Sequence, residues 1–184
     1  MIDADCIVPA AGHSSRMGAW KPLARFGSST MIETVVANAL AACTRVILVT
    51  GYRGPELASM FCATAGVVVV DNPDWQLGMF ASVRRGAAAV ASRSFFVTPG
   101  DMPWITAPVY QALSELRGAD AAFPVFRGRR GHPVLFSRAV REAVLAADPS
   151  AGRMRDIAER FTPVELAWED DTIHRDVDTM EDLA

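Results

Sequence analysis

Cysteine is scarce in this chain. Its three, Cys6, Cys43 and Cys62, form no CxxC pair and fall inside apolar runs. That excludes a disulfide framework and reads as buried thiols in a reducing compartment. Basic excess is missing too: 18 Lys and Arg against 21 Asp and Glu leave a net charge of −3, so no nucleic-acid-coating surface is expected. No window approaches the ~20 consecutive apolar residues of a membrane helix. The N-terminal MIDADCIVPAAG lacks a basic segment followed by an apolar stretch and a cleavage site. These absences predict a cytoplasmic protein with neither nucleic acid nor membrane as partner. His13, His132 and His174 lack metal-ligand spacing, which removes a zinc site, and no GxSxG or triad context indicates covalent catalysis. At 184 residues, with no repeat, low-complexity stretch or linker, residues 1–184 read as one domain with a closed core.

What is present is an alternation of strand and helix patterns. CIVPA (6–10), RVILVT (45–50), VVVVD (67–71) and SFFVTPG (94–100) are short apolar runs flanked by turn residues, as strands buried on both faces require. Thr30 and Glu33 have capping-box spacing and open a helix with Ile32, Val35, Val36, Ala39 and Leu40 on one face. Further helices are predicted over 55–65, over 79–92 and from a cap at Thr106 through Val109, Leu113 and Leu116. The order implies a mainly parallel sheet with right-handed crossovers in a three-layer α/β domain. After residue 118 the pattern changes: ADAAFPVFRGRRGHPVLF (119–136) predicts two extended segments joined by a Gly/Arg turn. A helix from about Ser137, another around Ile157, a late strand PVELAW and a polar tail follow.

Four constellations carry chemistry. In PAAGHSSRMGAWK, the spacing of Gly12, Gly18 and Lys21 fits neither GxxxxGK[ST] nor GxGxxG. Yet Ala10, Ala11 and Gly12 leave the backbone approachable, Ser14 and Ser15 add hydroxyls, and Arg16 and Lys21 supply a planar fork and a point charge for phosphate. A solvated loop is the plain alternative. Asp101 follows Gly100 where a buried strand exits, a place where a carboxylate holds Mg²⁺ against a bound triphosphate or merely starts a turn. In DVDTMED, one of Asp176 and Asp178 is expected to complete a metal site and the other to face away; a plain polar tail is the alternative. Arg127, Arg129 and Arg130 precede His132 and form either an anion-binding rim or a solvated hairpin tip.

Taken together, PAAGHSSRMGAWKPL, NPDWQLGMFASVRRG, GDMPWIT, RGRRGHPVLF and DVDTMEDL run in order over nearly the whole chain and resemble the MobA/MocA-like molybdenum cofactor nucleotidyltransferases. The similarity is greatest to MobA-related accessory proteins of molybdenum hydroxylases. The resemblance implies a GT-A-like, Rossmann-like α/β/α sandwich with a mixed, mostly parallel sheet and a small antiparallel excursion. It implies Mg²⁺-dependent transfer of NMP, from CTP more than GTP, to the phosphate of molybdopterin or the molybdenum cofactor. By position it places Ala10, Ala11, Gly12, Ser14, Arg16 and Lys21 on the nucleotide, and Gly78 and Ser82 by base and ribose. Asp101 with Asp178 (or Asp176) would hold Mg²⁺, and Arg130, Gly131, His132 and Pro133 would face the pterin. A molybdenum hydroxylase or its maturation factors would be the partners. Pro9 in place of the usual Leu, and Met180 in place of Pro, depart from the family pattern. The rivals are the same fold acting on a sugar or alditol phosphate, and a non-catalytic accessory that binds the cofactor.

Overall fold

The computed structural model describes residues 1–13, 20–179 and 181–183. The first apolar run forms β1 (Ile2–Pro9). It starts earlier than its apolar pattern does, because Ile2 and Asp5 already face Cys43 and Arg45 of the neighbouring strand. A short antiparallel ribbon, β2 (Arg25–Phe26) with β3 (Ser29–Thr30), has no sequence signal and leads into α1 (Met31–Ala42). The predicted capping box forms in full: Glu33 N–H donates to Thr30 Oγ1 at 3.3 Å, and Thr30 N–H donates to Glu33 Oε2 at 2.8 Å. A helix start otherwise leaves such amides without partners.

The alternation continues through β4 (Cys43–Thr50), α2 (Gly54–Phe61), β5 (Val67–Asp71), α3 (Met79–Ala89), β6 (Ser94–Val97) and α4 (Ala107–Ser114). It then passes to β7 (Ala121–Phe126), β8 (Arg129–Arg130), β9 (Val134–Ser137), α5 (Arg138–Ala146), α6 (Met154–Ala158) and β10 (Val164–Ala167). α2 stops short of the predicted residue 65. Cys62, one residue past the buried Phe61, therefore turns off the apolar face and is exposed, contrary to expectation; Cys6 and Cys43 are buried.

The main sheet has the order β10-β7-β9-β6-β1-β4-β5, with β8 attached to β7. β6, β1, β4 and β5 are parallel neighbours. The antiparallel excursion is present, but β9 is not an edge hairpin: it is wedged between β6 and β7 and runs against both. Its Val134, Leu135 and Phe136 are all buried, so both of its faces need cover that an edge position would not supply. Side chains alternate along β1. Cys6 and Val8 join the core under α1, α2 and α4, and Ile7 joins the core under α3, α5 and α6. Helices thus cover both faces of a mostly parallel sheet, the predicted α/β/α arrangement. No helix among the described residues is long and apolar enough to cross a membrane.

Candidate active site

Because β1 and β6 are parallel neighbours, their carboxyl ends leave the sheet side by side, where an open α/β sheet forms its ligand crevice. Gly100 draws them together. Its N–H donates to the Pro9 carbonyl at 3.2 Å, and a Cβ at Gly100 would lie 2.8 Å from that oxygen, so no larger residue fits. Asp101 comes next. The carboxyl-terminal segment then crosses this edge: buried Val177 donates its N–H to the Asp101 carbonyl at 2.9 Å. The result is a cavity of about 490 Å³ lined by Pro9, Ala10, Gly12, Lys21, Asp101, Asp176 and Asp178, among others.

At its centre the Lys21 ammonium donates to Asp178 Oδ1 at 2.7 Å and to Asp101 Oδ2 at 3.4 Å. Burial opposes the Lys21 charge, but the hydrogen bond to Asp178 and the charges of both carboxylates outweigh it and hold the ammonium above its ordinary pKa. Asp101 moves upward as well. A simple ion pair would lower it, but burial, with some help from the Asp176 charge, outweighs the pull of Lys21. One ammonium therefore compensates this carboxylate incompletely. Two carboxylates converging on one cation are the donor type a hard divalent ion takes, and Mg²⁺ is commonly held by one or two carboxylates plus substrate phosphates. Among the described residues no cluster of three or more His, Cys, Asp or Glu side chains is gathered for a metal.

A second cavity, about 710 Å³, adjoins the first and shares Pro9 and Met79 with it. It is lined by Val97, Phe123, Gly131, His132, Val134 and Phe136, with Arg129, Arg130, Glu159 and Glu165 around them. Arg130 is not a free anion-binding cation: its guanidinium donates to Glu165 at 2.6 Å and to Glu159, and lies 4.8 Å over the Phe123 ring. His132 is partly exposed as a residue, yet its Nδ1 is sealed from solvent. Burial pushes the imidazolium down to about 4 against a backbone hydrogen bond at Val97, so the ring is neutral at pH 7.

The structure brings together Ala10, Gly12, Lys21, Asp101 and both tail aspartates. The expectation that one of Asp176 and Asp178 faces away is corrected: residues two apart in an extended segment share a side, and Val177 between them points into the core. Ala11 is buried rather than lining the cavity, its carbonyl accepting from Tyr52 N–H at 3.0 Å, and the Ala10 N–H is taken by the Val49 carbonyl at 2.8 Å. Ala10 thus offers small size and no free amide. Ser82 is buried on α3, its Oγ accepting from Asn72 Nδ2 at 3.1 Å, and lines neither cavity. Gly78 caps α3 beside the site, and it is the following Met79 that lines both cavities. Pro133 is buried and lines neither cavity. Ser14 and Arg16 lie outside the described residues. Sequence reasoning missed Met79, and it missed Glu159 and Glu165, which no local spacing connects to Arg130.

Residues 6–164 match the family model for the MobA-like NTP transferase domain. The chain is 36% identical over 179 residues to the molybdenum cofactor cytidylyltransferase of Escherichia coli (strain K12), covering 97% of this chain and 93% of that one. It is 28% identical over 130 residues to a probable molybdenum cofactor guanylyltransferase of Bacillus cereus (strain G9842), covering 67% and 62%. Among solved structures, Rv0371c from Mycobacterium tuberculosis H37Rv superposes with a TM-score of 0.82 at 25% identity, over 98% of this chain and 95% of that one.

Proposed function

This chain belongs to the MobA-like NTP transferase family, and on that premise we propose that it transfers CMP from CTP to the terminal phosphate of molybdopterin, or of its molybdenum form, releasing pyrophosphate. The observation that carries the reading is the pair of adjoining cavities. One holds a lysine among three aspartates, the other is apolar with a charged rim, and they meet at Pro9 and Met79. A triphosphate accompanied by a divalent cation fits the first, where Lys21 faces the phosphates and the carboxylates face the cation, and a planar heterocycle fits the second by its apolar walls. The preference for CTP over GTP rests on the Ala-Ala-Gly of residues 10–12 and on the higher identity to a cytidylyltransferase than to a guanylyltransferase.

In this reading Gly12 and Ala10 allow the triphosphate close approach, and Lys21, with Arg16, neutralises it. Asp101 and Asp178 hold Mg²⁺, which when bound supplies charge neutralisation and Lewis acidity at the phosphate oxygens. The acceptor phosphate is already ionised near neutral pH, so no side chain is needed as a general base. His132, neutral and walled in, suits recognition of an uncharged ring. The chain's own contribution is positioning and electrostatics. Delivery to a molybdenum hydroxylase or its maturation factors completes the reading.

The test is pyrophosphate release with Mg²⁺ and molybdopterin, supplying CTP, GTP, ATP and UTP in turn. Release with CTP well above the others is expected. Release only with a sugar or alditol phosphate as acceptor would move the activity to that class, and pterin binding without turnover of any nucleotide would make the chain an accessory protein.

A further inference from the structure

The Lys21 ammonium lies between Asp101 and Asp178, two carboxylates brought from distant parts of the chain. The proposed function gives those carboxylates to the divalent cation and gives Lys21 to the triphosphate. One ammonium cannot serve both places at once. We infer that Lys21 is a displaceable stand-in for the divalent cation: it fills the metal position while the nucleotide site is empty and leaves it when a triphosphate arrives. This rests on the assignment of Asp101 and Asp178 as metal ligands.

Three observations carry the inference. First, Lys21 is the only lysine in the chain; the other 17 of its 18 basic residues are arginines. A guanidinium would clamp a carboxylate through two parallel hydrogen bonds, as Arg45 does on Asp5. An ammonium is a compact point charge on a flexible stem and exchanges partners without breaking a planar fork.

Second, the backbone under Lys21 is anchored independently of its ammonium. Pro22 is buried and Ala24 N–H donates to the Lys21 carbonyl at 2.9 Å, so departure from the carboxylates needs side-chain rotation alone. Third, the carboxylates remain reachable. The Asp101 and Asp178 side chains are 30% and 46% exposed, against 13% for Lys21, so a cation from solvent has a path once the ammonium moves.

The charge balance gives the device its sense. Among the described residues lining this cavity, Asp101, Asp176 and Asp178 face Lys21 as the one base. Without Lys21 the carboxylates would draw a divalent cation with no nucleotide present. With it, a free cation must displace an ammonium that has nowhere better to go. A triphosphate changes that, because it offers Lys21 a stronger partner in the same cavity and brings oxygens of its own for the cation. Cation and nucleotide therefore bind with positive coupling, in which Lys21 takes part by changing partners.

Mn²⁺ serves as the probe, its binding followed by water-proton relaxation, with α,β-methylene-CTP as a non-transferable nucleotide. For wild type, nucleotide-free Mn²⁺ binding is expected to be weak and to strengthen with the analogue. Lys21→Met is expected to bind Mn²⁺ about tenfold more tightly than wild type without nucleotide, with most of the coupling lost. An unchanged or weaker nucleotide-free affinity in Lys21→Met overturns the stand-in role. If wild type gains no Mn²⁺ site even with the analogue, or Asp101→Asn leaves Mn²⁺ binding unaltered, the metal assignment fails first and the inference with it. Should Lys21→Met not fold, wild type suffices. With [ε-¹³C]lysine its single resonance should move on adding the analogue with Mg²⁺ and stay put with Mg²⁺ alone; an equal shift under both conditions overturns the inference.

Discussion

At Asp101 burial raises the carboxyl pKa although Lys21 is 3.4 Å away, so this charge is held in place at a cost to the fold. Asp101→Asn removes that charge while keeping size and shape. Pyrophosphate release should fall by about a hundredfold or more, while the melting temperature stays level or rises, as happens when a destabilising functional group is removed. A clear fall in melting temperature would make Asp101 a structural residue. His132 offers a pH test with a definite sign. Its folded pKa of about 4 lies below the ordinary 6.5, so the unfolded chain binds more protons between those values. This contribution to stability is complete well above pH 6.5 and is lost as pH falls toward 4, amounting to roughly 3 kcal/mol. Chemical denaturation across that range checks it, and His132→Gln should flatten the difference. The local patterns Gly-Asp and Arg-Gly-His-Pro marked both residues as candidates. That Arg130 is engaged by Glu159 and Glu165 could not be read from them, since the turn after α6 and strand β10 supply those partners.

At the scale of elements, helix starts follow from local sequence. Thr30→Ala should cost about 1 kcal/mol in urea denaturation, because Glu33 N–H loses the Oγ1 that accepts its bond and Glu33 Oε2 loses the hydroxyl that donates to it. Ser137 behaves in the same way at α5, its Oγ accepting from Ala139 N–H at 3.2 Å. The carboxyl-terminal segment is different: it has no regular periodicity of its own, and tertiary contacts hold it. Val177 is buried against the edge of the sheet, and Asp182 Oδ2 accepts from Asp178 N–H at 3.0 Å and Thr179 N–H at 2.7 Å. Asp182 thus orients the backbone that presents Asp178. Asp182→Ala should raise the Mg²⁺ concentration for half-maximal turnover about tenfold, with little change in melting temperature because the residue is exposed. An unchanged Mg²⁺ titration would leave Asp182 with no positioning role.

Across the whole molecule, chemistry and stability occupy opposite ends of the sheet. The crevice lies at the carboxyl ends of β1 and β6. Near the amino end of β1, Asp5 accepts two hydrogen bonds from Arg45 on β4, both at 2.9 Å, and one from Ala91 N–H at 2.7 Å, while Arg45 donates to the Ala89 carbonyl at 2.9 Å. This network ties two central strands to the end of α3. Burial alone would raise the Asp5 pKa, but the Arg45 and backbone hydrogen bonds outweigh it and hold the carboxyl below its ordinary value. Its contribution is therefore present above about pH 4 and lost as pH falls through the depressed folded pKa. Arg45→Met should cost about 2 kcal/mol at neutral pH by denaturant titration, and the deficit should shrink in acid. Nucleotide transfer at saturating substrate should stay near wild type; a selective loss of turnover would join the two ends of the molecule.

The sequence by itself determined the strand and helix alternation, the two apolar faces of each central strand, the capped start of α1, and the candidacy of Lys21 and Asp101. Those features depend on short-range pattern: periodicity, caps, and small residues at strand exits. Only the tertiary structure decided that β9 enters the middle of the sheet, that Asp176 and Asp178 both reach the cavity, that Ser82 turns inward, and that Lys21 lies between Asp101 and Asp178. Each of these joins residues far apart along the chain, whose meeting depends on how covered sheets and helices pack and on no local spacing.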